Sequence, residues 1–200
     1  MLPDKSDLAT ETGLARNLAL LVTLATLWGA SYTFIRIAVA TIAPVTLIAA
    51  RTLIAGLILL AILRWGGLAL PRDLASWRPF LFQAAFNSVL PFTMIAWAQQ
   101  TTNASLATIL CSTSPIFIFL LTALVTHHER VSGRKLFGVV AGIAGICLII
   151  GYQALGGLGR ELGSQLLILL SALSFAVAAI YGRRFGGLDP LLPACGSLLC

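Results

Sequence analysis

Charge is scarce in this sequence. Asp, Glu, Lys and Arg together make up 10% of residues while apolar residues make up 58%, whereas soluble domains carry about 25% charged residues. So little charge cannot coat a water-soluble fold of this size, and the class of soluble globular proteins is excluded. The long apolar runs contain no Asp, Glu or His, so the usual intramembrane proton carriers are missing from them. Cysteine adds little chemistry. Cys111, Cys147, Cys195 and Cys200 lie within apolar runs with no two-residue spacing, and they read as small hydrophobes rather than as a redox or metal set. His127, His128 and Glu129 form the one local cluster of ligand-type residues, but a zinc-protease helix needs a second histidine at position 132, where Ser132 stands. Neither a metal nor a cofactor is expected. A basic nucleic-acid surface is also excluded: the net charge of +6 is spread over loops rather than gathered on one face.

What is present is hydrophobic length. The mean hydropathy is +0.96, and apolar runs recur at about 17–39, 44–63, 78–98, 103–125, 134–152 and 163–182. Each matches the roughly 20 residues that a helix needs to cross a bilayer. A seventh run begins near Leu188 and stops at Cys200; about eleven residues of helix span only about 17 Å of a hydrocarbon core about 30 Å thick, so a truncated chain is expected. The runs are too long for barrel strands and lack their alternation. Ala38-Val39-Ala40 has the form of a signal cleavage site, but the run before it is too long and five more spans lie beyond it.

Basic residues choose sides. Lys5 and Arg16 precede the first span, Arg64, Arg72 and Arg78 separate the second and third, Arg130, Arg134 and Lys135 the fourth and fifth, and Arg183 and Arg184 come after the sixth. Only Arg36 and Arg160 fall in the alternate loops. The positive-inside rule therefore predicts a cytoplasmic N-terminus, with the segments around 36–44, 99–103 and 152–163 facing outward. Asn103-Ala104-Ser105 is a sequon on that outward side, but it lies at the mouth of a helix, which argues against glycosylation.

Five is an odd number of spans, so a duplicated five-helix unit would place its halves in opposite orientations. Leu27-Trp28-Gly29-Ala30-Ser31-Tyr32 with Pro44, and Leu173-Ser174-Phe175-Ala176-Val177-Ala178 with Pro190, hint at this, since Trp28 to Pro44 and Ser174 to Pro190 are equally separated. With the adjoining Pro44-Val45-Thr46-Leu47-Ile48-Ala49-Ala50-Arg51, the Ser114-Pro115 pair, the His128-Glu129-Arg130-Val131-Ser132 turn, and Gly138 with Gly142-Ile143-Ala144-Gly145, the chain resembles the EamA-type transporters of the drug/metabolite transporter superfamily from about Leu20 onward. The resemblance implies an all-α integral membrane protein, a multi-span helix bundle of the inner (plasma) membrane. Residues 1–16 would be a cytoplasmic segment, 17–152 a first five-helix repeat, and 163–200 the beginning of an inverted second repeat. It also implies ten spans in the family as a whole, about four of them lacking here.

Candidate cavity residues are suggested by polar side chains inside the spans. Arg51 is the one charge deep within a span; insertion costs about 3 kcal/mol, which the surrounding Leu, Ile and Val offset. Facing the bundle it could attract a carboxylate; a scaffold contact, or snorkelling of the side chain, is the competing reading and the favoured one. Gln83, Asn87, Leu90, Met94 and Trp97 share one helical stripe, and Ser105, Thr108 and Ser112 another. For Ser and Thr, interhelical glue is the stronger reading; Asn87, whose amide needs several partners, leaves both readings open. Trp28, Ser31 and Tyr32 in the first span, and Ser171, Ser174 and Tyr181 in the sixth, are symmetry-related candidates, with packing or an interfacial belt as the alternative. Pro91 and Pro115 free backbone carbonyls and kink their helices. Gly138, Gly142 and Gly145 form a small-residue face for helix packing.

The expectation is a secondary transporter that exports small metabolites such as amino acids by alternating access, not an enzyme, with the lipid bilayer and a small polar solute as partners. The exposed small-residue faces would seek a further partner, a homo-oligomer among the candidates. The rival expectation is a structural or assembly membrane protein without a pore, or an inactive fragment.

Overall fold

A computed structural model describes residues 5–71, 73–125, 133–150 and 161–200. It is a bundle of α-helices, with no strand among the described residues. The helices are α1 (Lys5–Ala38), α2 (Pro44–Trp65), α3 (Leu74–Ala84), α4 (Leu90–Ala98), α5 (Ala104–Cys111), α6 (Ser114–Val125), α7 (Gly133–Ile150), α8 (Leu162–Gly182) and α9 (Leu191–Leu199). Among the described residues, five stretches are long and apolar enough to cross a membrane: Leu14–Ala38, Pro44–Trp65, Ala75–Ala98, Ala104–Leu124 and Leu162–Phe185. They coincide with five of the runs read from the sequence, and α7 occupies the place of the run at 134–152. The protein is therefore an all-α, multi-pass membrane bundle.

The helix ends are set by local chemistry. α2 opens on Pro44, whose missing N–H would have had no partner in a first turn. It closes on Gly67, the one positive φ (74°) among the described residues. There the Leu68 N–H bonds the Leu63 carbonyl and the Gly67 N–H bonds Arg64, the paired pattern of a Schellman end. The Asp73 carboxylate caps α3 by accepting from the Ser76 N–H at 2.9 Å and its hydroxyl at 2.7 Å. Those two bonds hold the exposed Asp73 carboxyl below the usual carboxylate range. Asn103 caps α5, accepting from the Leu106 N–H at 2.7 Å, so the sequon's asparagine is committed to a helix start.

Span three is α3 and α4 joined by a π-helical turn, Ala85–Val89. Span four is two helices, α5 and α6, separated at Ser112–Thr113. α8 is the hub, packing against α4, α5, α6 and the π turn. Ile168, Ala172 and Ala176 of α8 and Ile95, Ala96 and Ala98 of α4 are fully buried. α9 lies against α2 and α3. A Cβ on Gly196 would sit 2.5 Å from the Phe80 ring, and one on Gly56 would lie 3.2 Å from the Leu198 carbonyl oxygen, so glycine permits both approaches. α1 turns most of its apolar side chains outward, Leu20, Leu24, Leu27 and Phe34 among them, which suits contact with lipid. Glu129 and the histidines beside it lie outside the described residues, as do Arg72, Arg130 and Arg160 and the side chain of Cys147. At Gly138, Gly142 and Gly145 of α7, an added Cβ would meet nothing within 4 Å; that small-residue face is open among the described residues.

Candidate functional site

A cavity of about 590 Å³ opens in the middle of the bundle, lined by Trp28 and Tyr32 of α1, Asn87 of the π turn, Thr108 and Cys111 of α5, Ser112 at the break, Ser114 and Ile118 of α6, and Phe175 of α8. Its size falls within the usual range for small-molecule sites. The polar side chains are not equally free to meet a solute. The Thr108 hydroxyl donates to Ala104 at 2.8 Å and the Ser112 hydroxyl to Thr108 at 2.7 Å, so each keeps its lone pairs but has spent its proton on its own helix. Asn87 is exposed to the cavity. Tyr32 and Cys111 share this lining, and the Cys111 thiol lies 3.7 Å from the Ser171 hydroxyl; Ser171 gives its own proton to the Ile168 carbonyl at 2.6 Å. This side of the cavity is a held hydrogen-bonded wall.

A second cavity, about 530 Å³, lies between α1 and α2 and is lined by Ser31, Phe34, Leu47 and Arg51. The Arg51 guanidinium sits 3.9 Å from the centre of the Phe92 ring, a cation–π contact of the kind strengthened by desolvation. Its Nη1 is buried with no hydrogen-bond partner among the described residues. Phe92 meets Phe175 edge-on at 5.5 Å, and Phe175 meets Trp28 at 6.2 Å. A row of aromatic contacts therefore runs from Arg51 to Phe175 and Trp28 on the lining of the central cavity. A third cavity, about 410 Å³, at the end bearing Arg183 and Arg184, is lined by Gln83, Asn87, Phe185, Pro193 and Ser197. Asn87 lines both this cavity and the central one.

Among the candidate residues, Trp28, Tyr32, Asn87, Thr108 and Ser112 thus converge on one cavity, and Ser31 and Arg51 share another. Ser174 lies in neither; it is buried and donates to the Phe86 carbonyl at 2.8 Å. Trp97 is 53% exposed and lines none of these three cavities, and the π turn before it departs from the 3.6-residue spacing that placed it with Asn87. Tyr181 stacks with Phe82 at 4.2 Å and bonds Arg184. Pro91 is buried beside the π turn, and Pro115 stands at the start of α6.

Two residues that sequence reasoning passed over organise the opposite end. Arg36 donates to the carbonyls of Gln99 and Gln100, satisfying the end of α4 with a cation where the helix dipole is negative. Fully buried Gln99 donates from Nε2 to the Tyr32 carbonyl at 3.1 Å. Thr101 and Ser164 share a hydrogen bond of 2.8 Å, tying the same end to the start of α8. A basic residue at the end of one span and a Gln-Gln pair at the end of another were the available signals. No group of three or more His, Cys, Asp or Glu is placed to hold a metal among the described residues.

A bundle of apolar helices long enough to cross a membrane, two of its spans interrupted beside a shared cavity, defines the class of multi-span α-helical membrane proteins. The family model of the EamA-like transporter family matches residues 16–151, and the chain belongs to that family. It is also similar to the "Uncharacterized inner membrane transporter YedA" of Escherichia coli K12, at 31% identity over 79% of this chain and 50% of the relative. The same identity and coverage hold for the YedA proteins of strains O6:H1 and O157:H7. The chain spans about half the length of these curated relatives. No solved structure matches.

Proposed function

We propose that this chain forms a solute-binding part of a secondary transporter that moves small polar metabolites such as amino acids by alternating access, its two parts related as inverted repeats. The observation that carries this reading is the central cavity, to which four polar or aromatic candidates on three separate segments, Tyr32, Asn87, Thr108 and Ser112, contribute together with Trp28. Neutral acceptors and aromatic faces suit a small zwitterion or weak anion better than a cation. Arg51, with an unpartnered nitrogen and a guanidinium against Phe92, supplies a fixed positive charge in the neighbouring cavity. The chain carries the solute without transforming it, in keeping with its membership of the EamA-like transporter family.

In this reading the N-terminus and the ends bearing Arg64, Arg78 and Arg183 face the cytoplasm, and the Arg36–Gln99 end faces outward. Thiol labelling of Arg72→Cys and Thr101→Cys in intact cells tests the orientation. A probe reaching position 72 from outside, or position 101 only from within, overturns it. Flux of labelled amino acids in vesicles containing the full gene product tests the solute class; the expected result is uptake or efflux that falls in Asn87→Ala, and no flux of any amino acid removes that class.

A further inference from the structure

Span three carries a proline, and the structure shows an unusual answer to it. In an unbroken α-helix the Leu90 N–H would bond the Phe86 carbonyl, and Pro91, having no N–H, would strand the carbonyl of Asn87. Here the Leu90 N–H bonds the Ala85 carbonyl instead, in the wider π register. That shift leaves the Phe86 carbonyl with no donor in its own helix, because its next possible partner is Pro91. The missing donor comes from α8, where the Ser174 hydroxyl, 88 residues away in sequence, lies 2.8 Å from the Phe86 oxygen. Ser174 is buried, with 6% of its surface exposed, and Pro91 is fully buried, so water is poorly placed to do the same work.

From this geometry we infer that Ser174 is a positioning residue for Asn87: by supplying the donor that only the π register needs, it selects that register and so fixes the direction in which the Asn87 side chain points. The register matters because one residue of helical rotation is about 100°, enough to turn Asn87 away from the partition it forms between the central cavity and the one lined by Gln83 and Ser197. Ser174 itself lines neither cavity, so it acts on a solute only through Asn87. This inference rests on the transport reading for its importance but not for its test.

The test uses Asn87→Cys in a full chain whose native cysteines are changed to alanine, reconstituted in liposomes, with the rate of modification by N-ethylmaleimide as the readout. Adding Ser174→Ala should slow labelling at position 87 by about tenfold, the population shift expected from one buried hydrogen bond. Ser174→Thr, which keeps the hydroxyl, should restore the rate. Pro91→Ala with Ser174 intact should also slow it, because an N–H at 91 lets the ordinary α register satisfy every carbonyl. A thiol placed at Ser112 on the opposite wall should label at an unchanged rate throughout, which separates a turned Asn87 from a collapsed bundle. Equal labelling of position 87 in Ser174→Ala and in the parent, or equal slowing by Ala and Thr, overturns the inference; so does slowing at Ser112 that matches the slowing at 87. None of these rates requires a transported solute, so an absence of flux would retire the transport reading while leaving the role of Ser174 decided by labelling alone.

Discussion

Spans three and four each contain a proline near mid-membrane, and they resolve it in opposite ways. Pro91 is accommodated by a π turn whose stranded carbonyl is served by Ser174 from α8. Pro115 is accommodated by a complete break. α5 stops at Cys111, α6 starts at Ser114, and the Ser114 hydroxyl donates to the Cys111 carbonyl at 2.6 Å, the group that Pro115 would otherwise have served. The first solution couples two helices; the second is settled within one segment. A donor borrowed from another helix makes local geometry depend on tertiary packing, whereas a donor borrowed from a neighbouring residue survives movement of the bundle.

This contrast can be pressed experimentally. The largest loss should come from Arg36→Ala, a cross-helix donor with two charge-assisted bonds to the end of α4, at about 2 kcal/mol; thermal unfolding in detergent measures it, and a loss no greater than that of Ser114→Ala would break the distinction. Ser174→Ala should cost about 1.5 kcal/mol, near the upper end for hydrogen bonds between membrane helices. Combining it with Pro91→Ala should recover most of that loss, so additive losses in the double variant would show that the two residues do not share a carbonyl. Ser114→Ala should cost only about 0.5 kcal/mol, because its partner borders an open cavity that water can enter. The smallest effect belongs to Asp73. Its carboxyl is held low by Ser76, so its contribution is complete above the ordinary carboxylate pKa and fades as pH falls through the lowered value. Acidification should loosen the first turn of α3 in the parent but not in Asp73→Asn, with hydrogen exchange at Ser76 as the measure.

The same contrast explains what could be read from the residues alone. Hydropathy located the spans because twenty apolar residues in succession are a local property: the run predicted at 103–125 is the stretch Ala104–Leu124, and that at 44–63 is Pro44–Trp65. Helical spacing placed Thr108 and Ser112 on one side of span four, and both line the cavity. Of the stripe drawn through Gln83, Asn87, Leu90, Met94 and Trp97, Gln83 and Asn87 share a cavity lining, while the π turn at Ala85–Val89 departs from the 3.6 residues per turn that the stripe assumes. Arg36 and Gln99 were legible only as a loop charge and a span end; that they meet depends on how α1 crosses α4. Cys111 was read as a small hydrophobe, and burial agrees, yet its sulfur also belongs to the cavity wall.

The break in span four has one more consequence. It brings the last residue of α5 and the first of α6, Cys111 and Ser114, with Ser112 between them, onto one lining. Among the lining residues there is no carboxylate, imidazole or amine. A recess whose ionisable side chains are a phenol and a thiol, Tyr32 and Cys111, gains no charge when the medium turns acid, and any acid sensitivity in what it holds would then arise from the guest.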